Sequence, residues 1–356
     1  MKNKIRDKFL RFIAKARTDR MRLPVGTEDF KNYPAYGGVS VVELNSTCLE
    51  VVDARFAHKG ELGFWLMIGM PTLLTGAGGF VFIFYKALDR GLLIATDFLL
   101  LFVSAIFAVL SFAIVLFFIL TSRVDFTGFS VRKIRFNRKN QRVYFMDRHG
   151  QLQSYNWKDI NADLTHLSLN AHMHTQLEFF RRTDHERYEP LFILGFYADE
   201  YPTLCYWEFI RCYMEEDVVE DLAETIEYCA DLADGQETFW SGFLTLVRNY
   251  MTKRIQWIWL PVMVPYTFIS ACLRWIGMRT GKAFIWPEEV QDACVPEAND
   301  PIRVDASHNP QQPWGQTFMT VPIEYYDVRH KHINGARERI EKKLEKKYSR
   351  QTRSRS

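Results

Sequence analysis

The sequence predicts an α+β membrane protein, in which a two-helix transmembrane hairpin is joined to a cytoplasmic antiparallel β-sheet domain closed by helices. Two long apolar runs without charged residues, at 63–85 and 98–121, predict the hairpin. Apolar and polar residues alternate from Val124 onward, which predicts the sheet. An aromatic stretch at about 204–214 has helical spacing and predicts the helix that closes the sheet.

The hairpin prediction depends on the length of the two runs. At about 1.5 Å per residue, each run would form a helix of roughly 30 Å, the thickness of a bilayer's hydrocarbon core. Lys86 and Arg90 lie in the connecting loop, whereas both outer flanks carry many lysines and arginines. Because cytoplasmic flanks are enriched in these residues, we expect a multi-pass protein with both termini in the cytoplasm. The mean hydropathy of −0.17 indicates that most of the 356 residues belong to soluble structure.

Small residues on the two runs predict a face for helix packing or partner binding. Such residues let helix backbones approach closely in lipid, where apolar burial gives no drive to associate. The face would pack the hairpin on itself, form an oligomer or bind a foreign membrane helix. Its residues are Thr75, Gly76, Gly79, Ser104, Ala108 and Ser111.

The soluble domain is predicted to be assembled from both sides of the hairpin. Strand-like sequence within 31–62 is expected to pair with strands that follow the hairpin. Turns at 137–140 and 148–151 divide the domain at 122–250 into short antiparallel strands. Strands followed by one closing helix suggest a pleckstrin-homology-like half-open barrel, an analogy of shape that carries no function by itself.

Four further segments complete the predicted organisation. Residues 1–30 are a basic amphipathic segment, suited to a lipid surface or to docking on the domain. The apolar run at 255–277 is interrupted by prolines and favours an interfacial or re-entrant segment, with a third span and a buried helix as alternatives. Residues 284–327 form a proline-rich extended arm that wraps the domain or lies free. Residues 336–356 are a charged helix running into a basic Ser/Arg tail, which is expected to be disordered or held against the membrane.

The chain offers little that points to chemistry. It contains no phosphate-binding glycine loop between strand and helix, no nucleophile elbow and no zinc or calcium motif. A strand would place His172 and His174 on one face, but a metal site needs at least a third ligand, and His166 and His185 are the nearest candidates. Surface or pocket histidines are the favoured interpretation. We therefore expect no enzymatic activity, no cofactor, no metal and no nucleic-acid partner.

Six cysteines are scattered along the chain without C-x-x-C spacing. This spacing suggests neither a zinc knuckle nor a redox pair. The cysteines are expected to be mostly reduced and buried thiols.

Several stretches carry a resemblance to a known group of proteins. They are Phe136-Asn-Arg-Lys-Asn-Gln-Arg-Val-Tyr144, Gly150, Trp157, Trp207-Glu-Phe-Ile-Arg-Cys-Tyr-Met-Glu215 and Trp286-Pro-Glu-Glu289. In these the chain resembles, over roughly residues 35–300, an uncharacterised family of bacterial inner-membrane proteins with an N-terminal two-helix membrane hairpin. Genes of that family are often found near type VI secretion effectors, so the resemblance implies interbacterial competition and supplies no active site. Glu216 stands where the family would have a glycine that ends the helix, and the helix is therefore expected to run on.

Three hypotheses of function follow. The first is a non-enzymatic immunity protein of the bacterial inner membrane, which binds and blocks a membrane-acting type VI secretion effector. The second is a membrane scaffold or accessory factor that recruits an effector or a secretion component. The third is a membrane-anchored enzyme acting on lipid. The partners expected from the first two are the lipid bilayer and one protein, and the oligomeric state is left open.

Overall fold

The computed structural model describes part of the chain, and the fold is given for that part. The described residues are 20–22, 33–38, 40–60, 71, 75–76, 78–79, 81–82, 84–86, 89, 102–103, 105–107, 109–113, 115–116, 119, 128–147, 149–169, 172–182, 188–197, 200–232, 236–250, 260–310 and 323–355.

Strands and helices alternate irregularly along these residues, as in an α+β protein. The strands are β1 (Arg20–Arg22), β2 (Val41–Asn45), β3 (Cys48–Val52), β4 (Lys133–Asn137), β5 (Arg142–Met146), β6 (Leu152–Asn156), β7 (Ile160–Leu169), β8 (His172–Arg182), β9 (Tyr188–Tyr197) and β10 (Arg303–Val304). The helices of six or more residues are α1 (Glu200–Glu215), α2 (Val219–Glu224), α3 (Phe239–Tyr250), α4 (Leu260–Thr280), α5 (Glu288–Ala293) and α6 (Ile323–Arg355). The described residues between 71 and 119 are also helical.

The chain divides into two compact units. The first comprises Met1–Ala57, Val131–Asp234 and Phe284–Ser356, and the second comprises His58–Ser130 and Gly235–Ala283. The first unit therefore takes sequence from both sides of the long apolar runs, as the sequence predicted.

A six-stranded antiparallel sheet of the first unit has the order β10-β2-β3-β4-β5-β6. Strand β3 pairs with β4, so that Leu49 lies opposite Phe136 and Val51 opposite Ile134. This pairing confirms the prediction that strands before and after the apolar runs meet. The turn before β3 forms because the Asn45 side chain accepts hydrogen bonds from the backbone of the two residues at 47 and 48, at 2.9 and 2.7 Å.

A second antiparallel sheet, of four strands, has the order β1-β7-β8-β9. The single half-open barrel suggested by the sequence is therefore replaced by two sheets. Apolar side chains of both sheets and of α1 share one core, in which Phe179 lies 6.3 Å from Phe136 and 5.9 Å from Trp207 between ring centroids. Burial of these rings contributes to folding through the hydrophobic effect.

Helix α1 confirms the closing helix that was predicted at about 204–214. Its C-terminal end, however, differs from the expectation. The helix ends at Glu215, and α2 begins separately at Val219. The expectation that the helix runs on through Glu216 was therefore wrong. The side chain of Glu216 turns inward instead and is buried.

The charged helix predicted near the C-terminus is confirmed as part of α6, a helix of 33 residues. The residues expected to continue as a disordered or membrane-held tail belong to the same helix as far as Arg355. Ile333, Ala336, Ile340 and Leu344 recur at three- and four-residue spacing and are all buried, which gives α6 one apolar face. Helix α6 packs on α2 through this face.

The arm that precedes α6 wraps the first unit over the described residues 284–310. Strand β10 pairs with β2, and the Asp300 carboxylate accepts a hydrogen bond of 2.6 Å from the Ser46 hydroxyl. Of the two alternatives left open by the sequence, the described part of the arm therefore wraps the domain and does not lie free.

In the second unit, α3 and α4 pack together around a buried ion pair. The guanidinium of Arg274 on α4 lies 2.5 Å from the Glu237 carboxylate, and both side chains are almost fully buried. Gly60 adopts a φ of +94° in this unit, and a Cβ there would lie 2.6 Å from the Ser270 carbonyl oxygen. A side chain is therefore excluded at position 60.

The predicted two-helix transmembrane hairpin is contradicted. Among the described residues, no helix combines the length and the apolarity that crossing a membrane requires. Helix α4, which holds much of the third apolar run, contains Pro265 and the buried Arg274.

Candidate functional site

Three of the stretches that carried the sequence resemblance, namely 136–144, Trp157 and 207–215, meet in space at the end of α1. The turn between β4 and β5 covers the C-terminus of this helix, where backbone carbonyls lack helical partners. Arg138 donates a hydrogen bond of 2.8 Å to the Glu216 carbonyl, and Gln141 donates one of 2.9 Å to the Met214 carbonyl. The Trp157 indole donates to the Glu215 carboxylate at 2.9 Å. The contacts explain why these separate stretches occur together.

A buried charge cluster, which we call the Arg211 cluster, lies beside this helix end. It consists of Arg211, Glu208, Glu215, Glu216, Lys347 and Tyr348. Arg211 is fully buried and makes a two-pronged contact with Glu208, at 2.5 and 2.9 Å. The same guanidinium lies 3.3 Å from Glu215 and 3.3 Å from Glu216.

Helix α6 completes the Arg211 cluster from the far end of the chain. The Lys347 ammonium lies 2.6 Å from the Glu216 carboxylate, and the Tyr348 hydroxyl donates a hydrogen bond to the same carboxylate. Burial opposes the charged form of Glu216, but the bonds from Lys347 and Tyr348 outweigh it and lower the pKa of this carboxyl. Burial likewise opposes the charge of Arg211, yet its bond with Glu208 raises the pKa of the guanidinium.

The Arg211 cluster acts as an anchor. Buried charges are tolerated only when opposite charges and hydrogen bonds compensate their lost hydration. Glu208 is compensated by Arg211 of the same helix, whereas Glu215 and Glu216 also meet donors from other parts of the chain, two of them supplied by α6. The arrangement therefore fixes the position of α6 on α1.

A second buried charge, on Glu50 of β3, anchors the arm to the six-stranded sheet. Lys133 and Arg135 of the neighbouring strand contact its carboxylate at 2.8 and 2.5 Å. The Trp286 indole donates to it at 3.1 Å, and its ring lies 5.0 Å from the Arg135 guanidinium. Burial opposes the charged form, but the two cations lower the pKa of Glu50. Trp286, part of the sequence resemblance, therefore has a structural role.

The predicted small-residue face falls partly within the described residues. Thr75, Gly76 and Gly79 are helical, and the Thr75 hydroxyl donates to the Pro71 carbonyl at 2.8 Å. A Cβ at Gly79 would meet no described atom within 4 Å. Ser111 is helical and buried, whereas positions 104 and 108 lie outside the described residues. The use of this face stays a prediction.

Of the four histidines, the three in the described strands do not share one face of the sheet. His166 on β7 lies opposite Thr175, whereas His172 and His174 of β8 lie opposite Leu169 and Leu167. Neighbouring positions on a strand alternate between faces, so this register places His166 on the other face of the sheet from positions 172 and 174. His185 lies outside the described residues. In the part of the chain that the structure describes, no group of three or more metal-binding side chains is positioned to hold a metal ion.

The second unit presents an exposed apolar surface, which sequence analysis assigned to membrane spans. More than half of the large apolar side chains exposed within the described residues lie between 81 and 119. They are Val81, Phe82, Phe84, Tyr85, Phe102, Val103, Ile106, Phe107, Val109, Leu110, Phe112, Leu116 and Ile119. We call this set the apolar helical surface. Each of its side chains is at least 38% exposed.

The fold and these clusters define an α+β protein with two antiparallel sheets, a C-terminal helix held by buried charges and an apolar helical surface. Residues 111–298, just over half of the chain, match the family of unknown function DUF6708, and the chain belongs to that family. No curated protein and no solved structure matches the chain.

Proposed function

We propose that this chain is a non-enzymatic immunity protein of interbacterial competition. In this proposal it acts at the bacterial inner membrane, where it binds and blocks a membrane-acting type VI secretion effector. The apolar helical surface is the observation that carries the proposal, because it gives the protein a means of meeting both lipid and a membrane-acting partner. The sequence resemblance described above supports the choice of effector.

The apolar helical surface comprises thirteen exposed large apolar side chains of the described residues between positions 81 and 119. Soluble monomers rarely expose contiguous apolar patches of more than a few hundred Å², and larger patches mark lipid or partner contacts. Phe107 and Phe112 are 51% and 58% exposed, although a buried aromatic ring would contribute about 1.5–3 kcal/mol to stability. The exposure of so many rings therefore favours a function outside the protein's own core.

We infer that the apolar helical surface binds lipid. At one end of the described apolar residues, the Lys86 ammonium lies 5.2 Å from the centre of the Phe82 ring, and Tyr85 is exposed beside it. Tyrosine and lysine next to an apolar segment are typical of the boundary between lipid headgroups and acyl chains. We infer that the apolar residues contact acyl chains while Tyr85 and Lys86 face the headgroups.

The effector would be bound beside the small residues of the same helical region. A Cβ at Gly79 would meet no described atom within 4 Å, so a second helix could approach closely there. The two buried charge clusters hold the first unit's arm and α6 in fixed positions. They support the proposal because they hold these elements of the first unit together through contacts within the chain itself.

Co-expression with the effector encoded beside the gene tests this function. The proposal predicts that the wild-type protein protects cells from the effector and co-purifies with it. Gly79→Leu should weaken both, because a large side chain blocks the predicted face, whereas Gly78→Leu, which lies off that face, should retain both. Failure of the wild-type protein to protect and to co-purify would refute the proposal. A deletion that impairs secretion without sensitising the cell would instead favour the scaffold function.

A further inference from the structure

Two cysteine thiols that are far apart in the sequence meet in the first unit. Cys48 begins β3, and Cys294 follows the last residue of α5 in the arm. Both thiols are buried and lie beside Asn137, which pairs with Cys48 across β3 and β4 and whose amide contacts the Cys294 sulfur. All six cysteines of the chain are free thiols, and five of them are buried.

The backbone on both sides of this thiol pair is held in place by other contacts. The Asn137 amide donates to the Ala293 carbonyl at 2.5 Å and to the Cys294 sulfur at 3.6 Å. On the other side, Cys48 donates its backbone N–H to the Asn45 side chain at 2.7 Å. Because cross-strand partners share a face of the sheet, the Cys48 side chain lies on the same face as the Asn137 amide that contacts Cys294.

The surroundings favour the thiolate form of one partner. The Cys48 thiol donates a hydrogen bond to Cys294, which outweighs burial and, with the charge of Arg135, lowers the pKa of Cys294 to about 7. Burial and the same bond raise the pKa of Cys48. At neutral pH about half of the Cys294 side chains would carry the reactive thiolate. Val295, the next residue, is exposed, so the pair lies just beneath the surface.

We propose that Cys48 and Cys294 form a modification site, at which mild oxidation by a peroxide closes a reversible disulfide between β3 and the arm. The Cys294 thiolate attacks one peroxide oxygen, the O–O bond breaks, and a sulfenic acid and water result once a proton is taken up. The Cys48 sulfur then attacks the sulfenic sulfur, the S–O bond breaks, and a second water leaves. In sum, two thiols and one hydrogen peroxide give one disulfide and two waters. A dithiol reductant reverses the step by thiol–disulfide exchange.

The disulfide would add a covalent bond where only non-covalent contacts hold the arm. A cross-link between distant positions restricts the unfolded chain more than one between near positions. We expect the oxidised protein to melt at least about 5 °C higher than the reduced protein.

Peptide mapping of the purified full-length protein after treatment with hydrogen peroxide tests this site. The proposal predicts a peptide pair joined through Cys48 and Cys294, which disappears on treatment with dithiothreitol. Cys48→Ser and Cys294→Ser should each abolish the joined pair. Cys229→Ser should leave it unchanged, because Cys229 is a buried thiol with a pKa raised to about 12.

A measurement on the unmodified chain keeps the proposal falsifiable if a serine variant fails to fold. The rate at which iodoacetamide alkylates Cys294 in the wild-type protein should rise with pH around a midpoint near 7. Alkylation of Cys229 should be negligible over the same range. Absence of the joined pair after peroxide treatment, or a midpoint for Cys294 near the ordinary value of 9, would overturn the proposal.

Discussion

At the scale of single residues, the fold depends on charges placed where water is absent. Arg211 is the clearest case, since its guanidinium is fully buried and is compensated by carboxylates from α1 and from the residue after it. A buried ion pair contributes little net stability, because the cost of desolvation offsets the attraction. Removal of one partner nevertheless lowers the free energy of unfolding strongly, because the other charge is left buried and uncompensated.

Replacement of Arg211 tests this interpretation. Arg211→Met keeps most of the side-chain volume and leaves the Glu208 and Glu216 carboxylates buried without this cation. We expect a loss of about 3–5 kcal/mol in the free energy of unfolding, measured by urea denaturation. Arg303→Ala, at an exposed ion pair with Glu43, should cost no more than about 0.5 kcal/mol. Equal costs for the two variants would contradict the anchoring role.

The buried carboxylates also predict how stability depends on pH. The pKa values of Glu50, Glu216 and Asp221 are lowered by their cationic and hydrogen-bonding partners, against the effect of burial. A group with a lowered folded-state pKa stabilises the protein above its unfolded-state pKa, and this contribution is lost as the pH falls through the folded-state value. The free energy of unfolding should therefore be flat between about pH 6 and pH 5 and should fall below about pH 4.5.

Urea denaturation across this pH range measures the effect. Glu216→Gln should make the acid decline shallower, because one of the lowered carboxyls is gone. A stability that rises on acidification from pH 5 to pH 3 would contradict the assignment of these groups.

Sequence alone predicted the helix around Arg211 but not the burial of that arginine. The apolar spacing of Trp207, Ile210 and Tyr213 indicated the helix. Glu208 and Glu215 lie three residues before and four residues after Arg211, a spacing that could have indicated a paired charge. Lys347, however, comes from a helix more than a hundred positions away, and no local pattern shows which distant side chain completes a cluster.

At the scale of elements, α6 is a helix that the sequence predicted, but its packing on the domain was not predicted. Its composition is dominated by lysine, arginine and glutamate, which favours a tail in solution. Its four buried apolar residues are few but regularly spaced, and the ion pairs of Arg339 and Lys343 with Asp221, at 2.7 and 2.6 Å, flank them. The regular spacing of these apolar residues indicated a buried helix face, but the high content of charged residues favoured a solvent-exposed segment.

The docking of α6 can be measured with one core substitution. Ile340→Ala removes a buried side chain from its apolar face and should cost about 2–4 kcal/mol in the free energy of unfolding, since a cavity is left. Lys346→Ala, at an exposed position of the same helix, should change stability by less than about 0.5 kcal/mol. If a protein truncated before α6 were as stable as the full chain, this view of α6 would be wrong.

The strands, unlike the docking of α6, were predictable from local sequence. The hairpins at 41–52, 133–146 and 172–197 have alternating or β-branched residues and recognisable turns, and their pairing follows from neighbouring sequence. The division into two sheets was not predictable in the same way, because sheet membership depends on packing between strands that are distant in the chain.

At the scale of the whole molecule, the two apolar runs had the largest influence on the predicted fold and were interpreted incorrectly. Their composition fits a transmembrane hairpin, but composition specifies apolar surroundings and not a crossing. The described residues of these two runs are helical, and many of their apolar side chains are exposed. The same unit also contains a buried ion pair between Glu237 and Arg274. These exposed side chains still require an apolar partner, as the sequence indicated. The proposed function depends on this requirement.

Flotation of the purified full-length protein with vesicles of phosphatidylethanolamine and phosphatidylglycerol tests this central claim most directly. The account predicts that the wild-type protein floats with the vesicles, and that the pair Phe107→Asp and Phe112→Asp leaves it in the aqueous fraction. The matched pair Ile285→Asp and Val295→Asp, at exposed apolar positions of the first unit, should float as the wild type does. A wild-type protein that stays in the aqueous fraction, or a Phe107 and Phe112 variant that still floats, would contradict the account.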